Sequence, residues 1–269
     1  GKRVEMSVRS VRSIKSILHS SFNQAIIDGL VKVNPTLSVK VKGKKNREYS
    51  DEMLFLTEEE CEQLITYLNS EVDPMYRFLA PIAFMGIYYG LRRSELLGLK
   101  WDAIDYKSGH IRIEHTVVRV KTVESKDNTK TKNSRRNLAL FPTAVKVLDI
   151  IRRDQEKDKE YWGDAYMNKE GYVFVRGDGS YIDPDYLSKT FSKMTKRFGR
   201  PEITFHKLRH TCASLLISKG WDVKRVQYWL GHSDIQTTLS IYAHYNKMQS
   251  NLNSEDMDIL TKDVEKLFA

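Results

Sequence analysis

The chain has 269 residues, 41% of them apolar and 29% charged, with 44 Lys and Arg against 35 Asp and Glu for a net charge of +9. That composition excludes a wholly disordered chain. The longest apolar run, Phe78 to Leu91, contains Pro81 and two glycines and is too short to span a bilayer. The basic excess favours a polyanionic partner, nucleic acid or an anionic surface, and a solvated basic surface with no partner is the other reading.

Arg9 to Val33 reads as an amphipathic helix, with Ile14, Ile17, Leu18, Phe22, Ala25, Ile26, Leu30 and Val33 at three- and four-residue steps and Asn34-Pro35 as its stop. A lone helix cannot bury its own stripe, so this piece reads as the end of a helical domain. Val39 to Asn46 follows, with four lysines in eight residues. It is either a flexible connector or a basic strap across a phosphate backbone, with Lys42, Lys44 and Lys45 as the contacts.

Thr57-Glu58-Glu59-Glu60 is a capping box ahead of Leu64, Ile65 and Leu68. Pro74 to Tyr89 is a buried helix, broken at Gly90, and Ser94 to Leu99 a short one. Gly109 to Val123 alternates as extended chain and pairs, across a polar, lysine-rich connection, with Asn137 to Leu140. Further helices are expected over 142–159, 185–198, 206–219, 223–230 and 235–243, with a short strand over 171–176. The last 16 residues, from Ser254, carry Met257, Leu260, Val264 and Leu267 on one face, after a polar spacer from Asn246 to Asn253. The sum is a mainly α chain with a small antiparallel β-sheet. Cys61 and Cys212 form neither a disulfide framework nor a metal-binding pair, and no leader-like segment opens the chain; both features point to the cytoplasm.

His206, Arg209 and His210 share one helix face, a cationic donor cluster that repels itself unless an anion sits among it. Two alternatives stand beside an anion site. His206 and His210 have the spacing of a helical zinc pair, with His232 as a third ligand, but Lys207 stands where a zinc protease carries glutamate. The histidines also read as caps and core donors. Tyr242, on a later helix, is core, surface or a nucleophile; its free phenol is far from ionised at neutral pH, so a nucleophilic role needs cations around the group attacked.

In order, the chain offers GLRRSELLGLKW (90–101), KTKNSRRNLAL (130–140), HKLRHTCASLLISKG (206–220), LGHS (230–233) and TTLSIYAHY (237–245), with 33 residues from Arg209 to Tyr242. This series resembles the tyrosine recombinase family, the phage-integrase-like site-specific recombinases, over about residues 50 to 250. The resemblance implies a helical end of a core-binding domain (1–38), a basic linker (39–50), a catalytic domain (51–250) and a tail helix (251–269) exchanged between protomers. It implies catalytic roles for Arg92, Lys130, His206, Arg209, His232 and the nucleophile Tyr242, with Glu95 supporting Arg92. Lys132 rivals Lys130 as the hairpin lysine, and Lys132 and Arg135 also serve as DNA contacts. His210 matches a structural histidine, and Tyr245 does not match. No metal and no cofactor is implied. The implied partners are double-stranded DNA recombination sites, a homo-tetramer on DNA and accessory DNA-bending or directionality factors, with no membrane and a nucleoid-associated location. A topoisomerase-like nicking enzyme with the same residues and a non-catalytic DNA-binding protein are the rival readings.

Overall fold

The computed structural model describes residues 6–41, 55–71, 73, 76–119, 123–126 and 135–249. By contacts the chain divides into two compact units, Gly1–Glu52 and Met53–Ala269. In the first, α1 spans Val8–Ile27, with Ser7 accepting from the Ser10 amide at its start. The helix ends at Ile27, capped by Asp28, six residues before the end expected at Val33. Leu30 and Val33 therefore lie beyond it and are exposed. Asn34 does not stop the helix; its buried amide folds the following segment back, donating to the His19 carbonyl at 3.0 Å and to Asn23 Oδ1 at 2.6 Å. Lys42, Lys44 and Lys45 lie outside the described residues.

The second unit is mainly helical. Thr57 and Glu60 close the expected capping box at the start of α2 (Glu58–Asn69), whose Cys61, Leu64 and Leu68 are buried. The next helix, α3 (Leu79–Tyr88), starts later than the expected Pro74 and is buried almost throughout. α4 (Arg93–Leu97) follows the break at Gly90. The extended region divides into β1 (Ile104–Asp105), β2 (His110–Ile113), β3 (Thr116–Arg119), β4 (Val123–Lys126) and β5 (Arg136–Ala139). These form an antiparallel sheet of order β1-β2-β5 and a separate β3-β4 pair. The expected single hairpin is thus two nested pairs, β2 with β5 and β3 with β4 inside it, because the chain leaves the first sheet at Glu114-His115. In β5, Arg136 and Leu138 are buried while Asn137 and Ala139 are exposed.

The remaining helices are α5 (Pro142–Trp162), α6 (Pro184–Arg197), α7 (Phe205–Ser218), α8 (Val223–Leu230) and α9 (Ile235–Gln249). Residues 171–176 do not form the expected strand; they make only single bridges, Lys100 to Tyr172 and Val175 to Tyr181. α9 runs six residues past the expected end at Ala243, through half of the expected polar spacer. The tail from Ser254 lies outside the described residues.

One core gathers α2, α3, the three-stranded sheet, α5 and α6 around Tyr89, Phe191 and Leu208. A smaller one, of Cys212, Ala213, Ile217, Val226, Leu230 and Ile241, joins α7, α8 and α9. Between them, Tyr89 stacks on Phe141 (4.9 Å between centroids) and on Trp229 (5.7 Å), and its hydroxyl donates to the Ala139 carbonyl. This aromatic stack fastens the end of α3 to β5 and α8, beside the turns where Arg92, Arg209 and His232 are held. Both cysteines are buried, with thiols pushed up to about 12 by burial first, and pack as small apolar residues.

Candidate active site

Two glycines with positive φ shape the site. Gly90 (φ 61°) ends the α3 segment with its carbonyl aimed at α7, and a Cβ there would collide with Leu230 and Cys212. Gly231 (φ 66°) closes α8 in the left-handed conformation, and its amide donates to Gln227. A Cβ at Gly231 would sit 2.8 Å from Arg136 Nη1. Both turns need glycine twice over, for backbone angle and for close approach.

Arg92 is the N-cap residue of α4. Its amide donates to Glu95 Oε2 at 3.0 Å, its Nη1 to Glu95 Oε1 at 2.5 Å, and its Nη2 to the Gly231 carbonyl at 2.7 Å. About a third of this side chain remains open to solvent (34%). The neighbouring Arg93 turns away, donating to the Pro184 carbonyl and Ser188 on α6.

Arg209, on α7, is 4% exposed. Its Nη1 donates to the Gly90 carbonyl at 2.7 Å and its Nε to His232 Nε2 at 3.1 Å. Its Nη2 is buried with no hydrogen-bond partner. His232 places its other nitrogen, Nδ1, 2.9 Å from Thr238 Oγ1. With Nε2 accepting, Nδ1 carries the proton and donates to the threonine. Both ring nitrogens of His232 therefore have partners within the protein. Among the described residues no group of three His, Cys, Asp or Glu is placed to hold a metal ion.

The sequence motifs do not single out Arg136. It reaches in from β5, donating from Nε to the Trp229 carbonyl at 2.8 Å and from Nη2 to Glu95 Oε2 at 3.0 Å. Period-two alternation carried the signal: it puts Arg136 on the same strand face as Leu138, and a charge at a core position needs a partner.

Three guanidiniums thus surround a single carboxylate. Burial pushes Glu95 up, but Arg136, and after it Arg92 and Arg209, more than offset this and hold it at about 2. Burial, then repulsion from Arg92, pulls Arg209 down to about 9, still charged at neutral pH. Burial and then Arg209 and Arg92 hold His232 at about 3. His210 falls to about 4 through burial and then His206, whose ring it meets edge-on at 5.0 Å. His206, on the first turn of α7, is lowered by burial and then Arg209. The histidines are neutral at pH 7 in a net cationic pocket.

Tyr242 is half-buried on α9, packed with Tyr245 against the smaller core. It follows Thr238 by one helical turn and so projects from the same face as the threonine bound to His232. Arg135 is exposed beside β5. Lys130 and Lys132 lie outside the described residues.

The phage integrase family matches residues 54–249 of this chain. The chain belongs to that family, the tyrosine recombinases. It is 31% identical over 251 residues to a tyrosine recombinase XerC-like protein of Caldanaerobacter subterraneus subsp. tengcongensis, covering 88% of this chain and 63% of that protein. It is 28% identical over 242 residues to the transposase of transposon Tn916 from Enterococcus faecalis, covering 88% of this chain and 58% of the relative. The chain therefore spans about three-fifths of the length of these recombinase relatives. In fold it is similar to the integrase of transposon Tn1549 solved in complex with transposon right-end DNA, with a TM-score of 0.72, 19% identity, and coverage of 97% of this chain and 80% of that one. Mainly helical architecture with a small antiparallel sheet is thus the family's fold.

Proposed function

We propose that this chain is the catalytic part of a site-specific DNA recombinase, the integrase of a mobile element, which cuts and rejoins DNA through a covalent 3′-phosphotyrosyl link. The observation that carries the reading is the buried, unpartnered Nη2 of Arg209 beside Arg92 in a net cationic pocket. An unsatisfied buried donor is costly to leave unmade, and a phosphodiester oxygen is the acceptor that fits it. The relatives support it: integrases and transposases of phages and transposons are among them.

Tyr242 Oη attacks the scissile phosphorus, and the bond from phosphorus to the 5′ oxygen breaks. Arg92 and Arg209 hold the non-bridging oxygens, where charge grows in the pentavalent transition state. A neutral histidine of the pocket takes the tyrosine proton, and Lys130 protonates the departing 5′ oxygen, with Lys132 its rival. Glu95 orients Arg92. The phosphotyrosyl link conserves the energy of the broken bond, so rejoining to a new strand uses no ATP, and the guanidiniums supply the charge that a metal would otherwise bring.

The domain reading follows: the helical end of a core-binding domain at 1–38, a basic linker at 39–50 with Lys42, Lys44 and Lys45 on the DNA backbone, a catalytic domain at 51–250 with Lys132 and Arg135 as further contacts, and an exchanged tail at 251–269. The assembly is a homo-tetramer on two duplexes that passes through a Holliday junction, aided by DNA-bending or directionality factors, in the cytoplasm at the nucleoid. Among the described residues no helix is long and apolar enough to cross a membrane.

Incubation with a nicked duplex that traps the cleaved state tests the reading. An SDS-resistant protein–DNA adduct, and recombinant product from intact sites, are expected. Relaxation of supercoiled DNA without recombinant product would favour the topoisomerase-like rival, and binding without an adduct the non-catalytic one.

A further inference from the structure

We propose that Arg136 is a positioning residue of this site, a buried guanidinium that ties β5, α4 and the end of α8 together and so sets the spacing between Arg92 and the Gly231-His232 segment. The inference rests on the reading of the pocket as a phosphoryl-transfer centre and adds a residue to it.

The connections form a closed ring. Arg136 Nη2 reaches Glu95 Oε2 at 3.0 Å; Glu95 Oε1 takes Arg92 Nη1 at 2.5 Å; Arg92 Nη2 reaches the Gly231 carbonyl at 2.7 Å. The ring closes through α8, since Arg136 Nε holds the Trp229 carbonyl at 2.8 Å and the arginine's Nη1 lies against Gly231. Each side of Arg92 is thus gripped by a group that Arg136 also touches. The Arg136 side chain is 1% exposed and, unlike Arg209 with its unpartnered Nη2, it has Nε and Nη2 engaged by the Trp229 carbonyl and Glu95, so it acts through these neighbours and not on a DNA phosphate.

Burying a guanidinium costs several kcal/mol unless its donors are matched. Any cation could balance the charge of Glu95. Only a planar fork presents two donors at a fixed angle to a carboxylate on one element and a carbonyl on another. A lysine at 136 would keep the charge and lose the second connection, which separates positioning from electrostatics.

The experiment uses Arg136→Lys and Arg136→Met in the full chain. Both are expected to slow single-turnover adduct formation on the nicked duplex at least ~10-fold, while duplex affinity changes less than ~3-fold, because Arg136 makes no phosphate contact. In an Arg92→Ala background the same substitutions should cost less than ~3-fold, as residues of one network couple. A readout independent of cleavage is the 15N signal of His232 Nε2, which accepts from Arg209 in the wild type and should move in Arg136→Lys. Arg136→Lys cleaving at the wild-type rate, equal losses in both backgrounds, or an unmoved His232 signal would each overturn the inference. If Arg136→Met fails to fold, Arg136→Lys decides alone. If the wild type forms no adduct, the functional reading fails, and the His232 signal still decides the role of Arg136.

Discussion

Arg209 donates from Nε to Nε2 of His232 at 3.1 Å, and the other ring nitrogen of that histidine lies against Thr238 at 2.9 Å. The pair bridges α7 to the turn after α8 and to the first turns of α9, the helix that carries Tyr242. It also fixes His232 in its neutral form, because a protonated Nε2 would face the guanidinium with like charge.

Stability should therefore fall on the acid side. His232 and His210 are depressed to about 3 and about 4, below the ordinary histidine value, so the unfolded chain binds their protons first. Their contribution is whole above about pH 6.5 and is lost as pH falls through 4 and then 3, with a slope of up to about 1.4 kcal/mol per pH unit for each group. Glu95, held at about 2, adds its own loss only below about pH 4.5. Urea midpoints measured from pH 7 to 4 should decline, and His232→Asn should flatten the decline. An unchanged slope in that variant would contradict the buried, neutral assignment.

Tyr242→Phe should bind duplex DNA with near-normal affinity and form no covalent adduct. In the proposed mechanism the hydroxyl supplies the nucleophile, whereas affinity comes from cationic contacts to phosphates. Gel-shift titration and SDS electrophoresis read the two properties separately. An adduct in this variant, or peptide mapping of the wild-type adduct to Tyr245, would refute the assignment.

Arg92→Ala and Arg209→Ala should each lose about 2.7–4 kcal/mol of transition-state stabilisation, or ~100- to 1,000-fold in cleavage rate. EDTA should leave the wild-type rate unchanged. Inhibition by EDTA would bring a metal back into the chemistry.

Gly90→Ala should be strongly destabilising and nearly inactive. The residue sits at φ 61°, its added methyl would drive into Leu230 and Cys212, and its carbonyl is the acceptor that aims Arg209. A lowered Tm together with slowed cleavage is expected. Gly109→Ala, also at positive φ but with nothing within 4 Å of the new methyl, should cost far less.

A substrate with sulfur in place of the bridging 5′ oxygen identifies the general acid, since a thiolate leaves without a proton. Lys130→Ala should cleave ordinary DNA very slowly and recover on the sulfur-bridged duplex, with Lys132→Ala only mildly slowed on both. The arginine variants should not recover, because the proposed mechanism puts these side chains on the non-bridging oxygens. Rescue of Lys132→Ala instead would move the assignment by two residues.

Local order in this protein is written in short-range patterns. The capping box at Thr57 and Glu60, the bounds of α8 at Val223 and Leu230, and the break at Gly90 each depend on residues within a turn or two, so periodicity and backbone preference found them. The order of the arginines, histidines and Tyr242 along the chain carries the resemblance to the tyrosine recombinases, and it is that resemblance which implies phosphoryl transfer. Tertiary structure decided what those patterns could not hold. The motif singles out Arg92 over the adjacent Arg93, but only the folded chain shows what holds each: Arg92 reaches the Gly231 carbonyl, 139 positions away, while Arg93 is taken by Pro184 and Ser188 on α6. Arg136 is a buried hub because of partners 41 and 93 positions distant, which no local pattern contains. Residues 171–176 have strand-like composition but find only single bridging partners. Helix propensity and caps act within a few residues, whereas the burial of a charge or the pairing of a strand depends on groups that meet only when the whole chain has folded.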